Sequence, residues 1–166
     1  MFKKLTFENT IRLIFLLLFL IYLLVLVQKV ILKDGMALHL AALNDQLTFE
    51  QRLYSVNFVP FKTILVYLGG KEDLRIAAEN LLGNIIAFAP MGFLLPIITK
   101  KFRKVIYIFL IALAVSLLIE ILQFVFVLGS TDIDDVILNV SGALLGLCAY
   151  KVLMVIKERH LGKEQL

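Results

Sequence analysis

Glu120 and Gln123 stand three residues apart in an apolar run, and Asp132, Asp134 and Asp135 crowd the stretch "STDIDDVILNVSGALLG" just beyond it. These are the side chains with chemistry to offer. A carboxylate stripe beside an acidic helix start could bind a hard cation through oxygen ligands. It could also run general acid–base catalysis on a lipid-linked substrate, with Glu120 and Asp135 as the catalytic candidates. Or it could hold a polar headgroup or peptide without any bond changing. The chain has no serine–histidine pair, cysteine pair, glycine-rich phosphate loop or HExxH, so catalysis has no motif behind it. A non-enzymatic role is favoured.

Metal and disulfide chemistry find little support. His39 and His160 lie far apart with no ligand spacing. Cys148 stands alone in an apolar segment and reads as a small packing residue. No metal and no cofactor are expected.

The elements that position the acids are membrane helices. The 166 residues are 61% hydrophobic and 18% charged, against about a quarter charged in a soluble domain. One soluble core could not hide that excess. The net charge of +4 sits at the ends of apolar runs, so the partner it implies is the lipid bilayer and not nucleic acid. A membrane helix needs about 20 mostly apolar residues, and four segments qualify: roughly 11–32, 77–98, 105–128 and 135–155. The first is longer than a signal peptide's apolar core, with no small-residue cleavage site after it, and reads as an uncleaved anchor. The second is interrupted by Asn80, Asn84, Pro90, Gly92 and Pro96, which predicts a kinked span. The fold expected is a single all-α integral membrane domain over residues 1–166.

Basic residues near span ends set the orientation. Lys3, Lys4 and Arg12 lie at the start of the first span, "KKFRK" joins the second to the third, and Lys151, Lys157, Arg159 and Lys163 lie at the end of the fourth and beyond it. The loop between spans three and four has no basic residue. Both termini are therefore expected in the cytoplasm, with the long mixed loop of residues 33–76 outside. In that loop "MALHLAALNDQLTFEQRLY" allows an interfacial helix. "NFVPFKTI" should be extended around Pro60, Gly69 and Gly70 mark a turn, and "KEDLRIAAEN" leads helically into span two.

This orientation places the polar residues at one depth. Asn80 and Asn84 share a face of span two, which Phe88 continues. Glu120 lies about 22 Å along span three, on a stripe with Ser116 and Gln123. Asp135, Asn139, Gly142 and Gly146 form a stripe on span four. Three helices thus present polar faces in the outer leaflet. Plainer roles compete: the aspartates could cap span four, the asparagines could be interhelical glue, and the glycines could be packing residues. Glu120 resists them best, because a mid-membrane charge costs about 2.5–3.5 kcal/mol even on lenient scales and usually marks function. A cation such as Lys62 or Arg75 could pair with it.

"NFVPFKTI", "ENLLGNIIAFAPMGFLLP" and "SLLIEILQFVFVLGSTDIDDVILNVSGALLG", in this order and spacing, resemble the motifs of the VanZ family of small membrane proteins. The resemblance covers most of the chain from residue 57 to about 150. Its matching positions are Asn57, Pro60 and Phe61; Asn80, Asn84, Phe88, Pro90 and Gly92; Glu120 and Gln123; Asp132, Asp135, Asn139, Gly142 and Gly146. Asp134 falls at what looks like a variable position and ranks below its neighbours. Many relatives carry an arginine before the aspartate run, where this chain has Gly129 and Ser130, so an arginine–aspartate pair is missing. The resemblance implies lowered susceptibility to glycopeptide antibiotics, teicoplanin more than vancomycin, in the Gram-positive cell envelope. The implied partner is a cell-wall precursor or lipoglycopeptide at the outer leaflet, and an oligomer is compatible with it. The alternatives are a membrane enzyme acting on a lipid-linked cell-wall intermediate, and a scaffold that binds another envelope protein. The scaffold reading expects damage at Gly142 or Gly146 to exceed damage at Asp135.

Overall fold

The computed structural model describes residues 2–31, 48–70, 73–126, 128 and 130–163. Among the described residues, four helices are long and apolar enough to cross a membrane: α1 (Phe2–Ile31), α4 (Leu74–Ile98), α5 (Val105–Phe126) and α6 (Ile133–Lys163). Among the described residues between α1 and α4 lie two short helices, α2 (Phe49–Tyr54) and α3 (Lys62–Leu68). A 3₁₀ turn over Lys100–Arg103 carries the basic cluster. The four expected spans are all present. Their ends shift where a cap decides them: α4 begins three residues early because Asp73 accepts the Arg75 N–H at 2.8 Å. Likewise α6 begins at Ile133 because Asp132 accepts the Asp134 N–H at 2.9 Å.

Helix α4 runs unbroken through Pro90 and Pro96. Each proline removes one donor from the ladder. One turn from Pro90, the Tyr22 hydroxyl of α1 donates to the Ala87 carbonyl at 2.8 Å.

The tightest seam joins α4 to α6. A Cβ on Gly142 would overlap the Ile85 carbonyl, one on Gly146 the Ala89 carbonyl, and one on Gly92 the Ala143 carbonyl. Backbone therefore rests on backbone, which glycine alone permits. The pairing of 85 with 142 and 89 with 146 also shows that α4 and α6 run parallel. Ser116 meets Asn139, and Glu120 meets Asp132, so α5 runs antiparallel to α6. Tyr22 against Ala87 and Gln28 near Glu79 set α1 antiparallel to α4. Phe88, Met91, Ile108, Ala112, Ala143 and Leu147 fill the middle of the bundle. The outward faces remain exposed and apolar, as lipid-facing surfaces must.

Alternation puts the start of α1, the Lys100–Arg103 turn and the end of α6 at one end of the bundle. Arg103 lies over the Tyr150 ring there, at 5.9 Å. The aspartates gather at the opposite end.

The connection before α4 departs from the expected extended run. Asn57 is extended, in a parallel bridge with Asp132: its N–H donates to the Thr131 carbonyl at 2.9 Å, and the Ile133 N–H donates to the Asn57 carbonyl at 3.0 Å. Pro60 and Phe61 then turn, and helix α3 follows at once. Phe61 takes a left-handed conformation with φ 66°, unusual for a bulky residue. Of the expected interfacial helix, Phe49–Tyr54 is a helix with a Thr48–Gln51 capping box. Its earlier part, with His39, lies outside the described residues, as does Gly129.

Candidate functional site

All four membrane helices line one cavity of about 550 Å³ at the acidic end of the bundle. Helix α5 contributes Ile119, Glu120 and Gln123, and α6 contributes Asp135 and Asn139. Helix α4 supplies Glu79, Gly83, Asn84, Ala87 and Phe88, while α1 closes the side with Val25, Leu26 and Gln28. The walls alternate carbon with oxygen-bearing groups, as small-molecule sites do.

The bonds within this cluster hold its side chains in place. Asn84 Nδ2 donates to Asp135 Oδ1 at 2.6 Å, tying α4 to α6. Asn139 Nδ2 donates to Ser116 Oγ at 2.9 Å, tying α6 to α5. Glu120, 6% exposed, accepts the Asp132 N–H on Oε2 at 2.8 Å. A carboxylate receiving the first free N–H groups of a helix gains both the bond and the dipole. Gln123 differs from all of these: it is 9% exposed, and its Oε1 is buried without a hydrogen-bond partner among the described residues.

Above the cavity lies a second polar layer. Asp132 receives Asn57 Nδ2 at 2.8 Å and the Thr63 hydroxyl. Asp134, fully buried, collects the backbone N–H groups of Phe61, Thr63 and Ile64. It caps α3 and not the helix that bears it. On the far side of Glu120, an almost wholly carbon-lined groove of about 320 Å³ separates α2 from α5, with Phe49 meeting Phe124 edge-on at 5.8 Å.

The structure brings Asn84, Glu120, Gln123, Asp135 and Asn139 to the cavity, with Phe88 in its wall. Asp132 instead joins the outer layer with Asn57. Asn80 donates to the Ile76 carbonyl of its own helix at 3.0 Å and is absent from the cavity wall. Arg75 pairs with Glu79 at 2.8 Å, both exposed, and not with Glu120. Pro60 and Phe61 form the turn that presents N–H groups to Asp134, while Pro90 lies within α4 next to the buried Met91. Gly92, Gly142 and Gly146 are used up inside the chain by the α4–α6 seam. Damage at Gly142 or Gly146 therefore cannot single out a scaffold, which corrects that criterion. Glu79, Gln28, Thr63 and the capping role of Asp134 were not read from the sequence. For Asp134 a signal existed: a third acid beside a helix start, with Thr63 and Phe61 in a segment already marked as a motif. Among the described residues, no three histidine, cysteine or acidic side chains are grouped to hold a metal ion.

A four-span membrane protein with helices converging on a cavity of carboxylates and amides is the class that fold and site define. The chain belongs to the VanZ/LLP1 family, whose model matches residues 19–155. It is similar to Protein VanZ of Enterococcus faecium, 36% identical over 90 residues, or 53% of this chain. That match spans 52% of the relative, about half its length. No solved structure matches the chain. Family and spans together make it a multi-pass protein of the bacterial cell membrane.

Proposed function

We propose that this protein lowers susceptibility to glycopeptide antibiotics, teicoplanin more than vancomycin, by binding a ligand in the cavity at the outer leaflet without catalysing a reaction. The similarity to Protein VanZ supports the antibiotic class. The observation that carries the site is the meeting of Asn84, Glu120, Gln123, Asp135 and Asn139, from three helices, around one cavity. Intramembrane acids are costly and are retained where they work.

The basic turn over Lys100–Arg103 and the basic end of α6 belong on the cytoplasmic side by the positive-inside rule. The cavity, at the other end, then faces the outer leaflet. Teicoplanin carries an acyl chain, so its action depends on membrane anchoring as well as precursor binding. A protein acting within the outer leaflet disturbs the anchoring more than the binding.

The test is the inhibitory concentration of both antibiotics in a susceptible Gram-positive host, with the wild type and with Glu120→Ala and Asp135→Ala at matched membrane levels. The expected result is a rise selective for teicoplanin that both substitutions abolish. No rise with well-produced wild type contradicts the function. Glu120→Gln separates binding from acid catalysis, because its amide oxygen can still accept the Asp132 N–H. Protection retained by Glu120→Gln and lost by Glu120→Ala fits binding.

A further inference from the structure

We infer that the carbon-lined groove between α2 and α5 is a binding site for one hydrocarbon chain of a membrane lipid, separate from the polar cavity and independent of the function proposed for it. Along α5 the groove reaches from Leu117 to Phe124, about 10 Å at 1.5 Å per residue. This is the half of a membrane-spanning helix nearer the aspartates. Leu117 and Ile121 in its wall are 41% and 58% exposed, so its open side faces the acyl chains of the bilayer. Phe49 and Leu53 of α2 form the other wall, and the buried Val136 of α6 lies at the base. A lipid chain reaches this place without crossing water.

The chemistry of the walls selects the occupant. The polar residues that border the groove are engaged elsewhere. Asn57 Nδ2 donates to Asp132 and to the Thr63 hydroxyl, Glu120 Oε2 accepts the Asp132 N–H, and the Thr131 hydroxyl donates to the Glu120 carbonyl. A buried water molecule wants about three hydrogen bonds, and an ion or headgroup wants at least as much; here they meet carbon. Left empty, the walls forfeit dispersion contacts that nothing replaces. Size narrows the choice further, since the volume is about 320 Å³. A helix, about 10–12 Å across with its side chains, would need about twice as much or more over the same length. One slender chain fits. Lipid tails are as apolar as leucine, so the preference for this place over the open surface comes from packing against three helices instead of one.

The chain has no tryptophan, so an introduced one reports on a single place. Phe124→Trp puts it in the groove wall, and Phe126→Trp puts it on an exposed face of the same helix outside the groove. Each full-length protein is held in micelles of digitonin, whose rigid steroid body is too broad for the groove, and titrated with phosphatidylcholine brominated midway along one chain. Bromine quenches tryptophan emission on contact. The inference expects saturable quenching of Phe124→Trp, reversed by unbrominated phosphatidylcholine, and a shallow unsaturated decline for Phe126→Trp. Narrowing the groove from either wall, by Leu53→Phe or Leu117→Phe in the Phe124→Trp protein with helical circular dichroism unchanged, should raise the half-quenching concentration about tenfold. That is the effect of losing about ten atom contacts. Matching unsaturated curves for the two reporters overturn the inference, as does saturable quenching indifferent to both narrowing substitutions. Emission from Phe124→Trp that follows protein concentration and not lipid also overturns it, with a second copy of the chain as the occupant.

Discussion

The Asp134 carboxylate accepts the backbone N–H of Thr63 at 2.8 Å across 71 positions of sequence. Its partners at Phe61 and Ile64 complete a cap on α3, and Asp132 fastens Asn57 and Thr63 beside it. The segment before α4 is thereby pinned over the α5–α6 connection. Asp134→Ala leaves three N–H groups unmet at a helix start. We expect a loss of about 3 kcal/mol in unfolding free energy, since hydrogen bonds to charged groups contribute about 1.5–3 kcal/mol each and do not add fully. Asp134→Asn, which keeps one acceptor oxygen, should lose less. Thermal unfolding in micelles, with limited proteolysis around residues 57–70, measures both. An Asp134→Ala protein as stable as the wild type would contradict the capping role.

The glycine seam gives a graded series. Gly142→Ala and Gly146→Ala drive a methyl group into the α4 backbone, where overpacking costs about 1–3 kcal/mol or more. Gly83→Ala meets nothing within 4 Å and should be neutral or stabilising by up to about 1 kcal/mol through helix propensity. Yield of monodisperse protein and Tm should rank Gly83→Ala well above the other two.

Double-mutant cycles separate the two interhelical amide bonds. The Asn139–Ser116 pair joins neutral groups and should couple by about 0.6 kcal/mol, the average for such bonds within membranes. The Asn84–Asp135 pair has an acid as acceptor and should couple more strongly, by about 1.5 kcal/mol or more. The cycles are read from unfolding free energies of Ala substitutions, and a reversed order would show that Asp135 is neutral as the bond is made.

The spans were readable because about 20 apolar residues between charged ends leave a chain few alternatives, and the i, i+4 spacings of Asn84, Glu120 and Asn139 carried over directly to the cavity. What could not be read was tertiary hydrogen bonding. Helix α3 has Phe61 at its start and no local side-chain cap; its cap is Asp134, from far along the chain. The same blindness put Asn80 in the patch, although its short amide turns back to Ile76. Glu79 was overlooked because it sits where the helix leaves the apolar run and reads there as a surface acid.

The measurement closest to the central claim is the paired stability and teicoplanin protection of Gln123→Leu. Gln123 has a buried oxygen with no described partner, and replacing such a group by an apolar one of similar size is neutral or stabilising. The account predicts a protein at least as stable as the wild type, present at the same membrane level, that protects no better than an empty host. Full protection by Gln123→Leu would contradict the cavity as the working site.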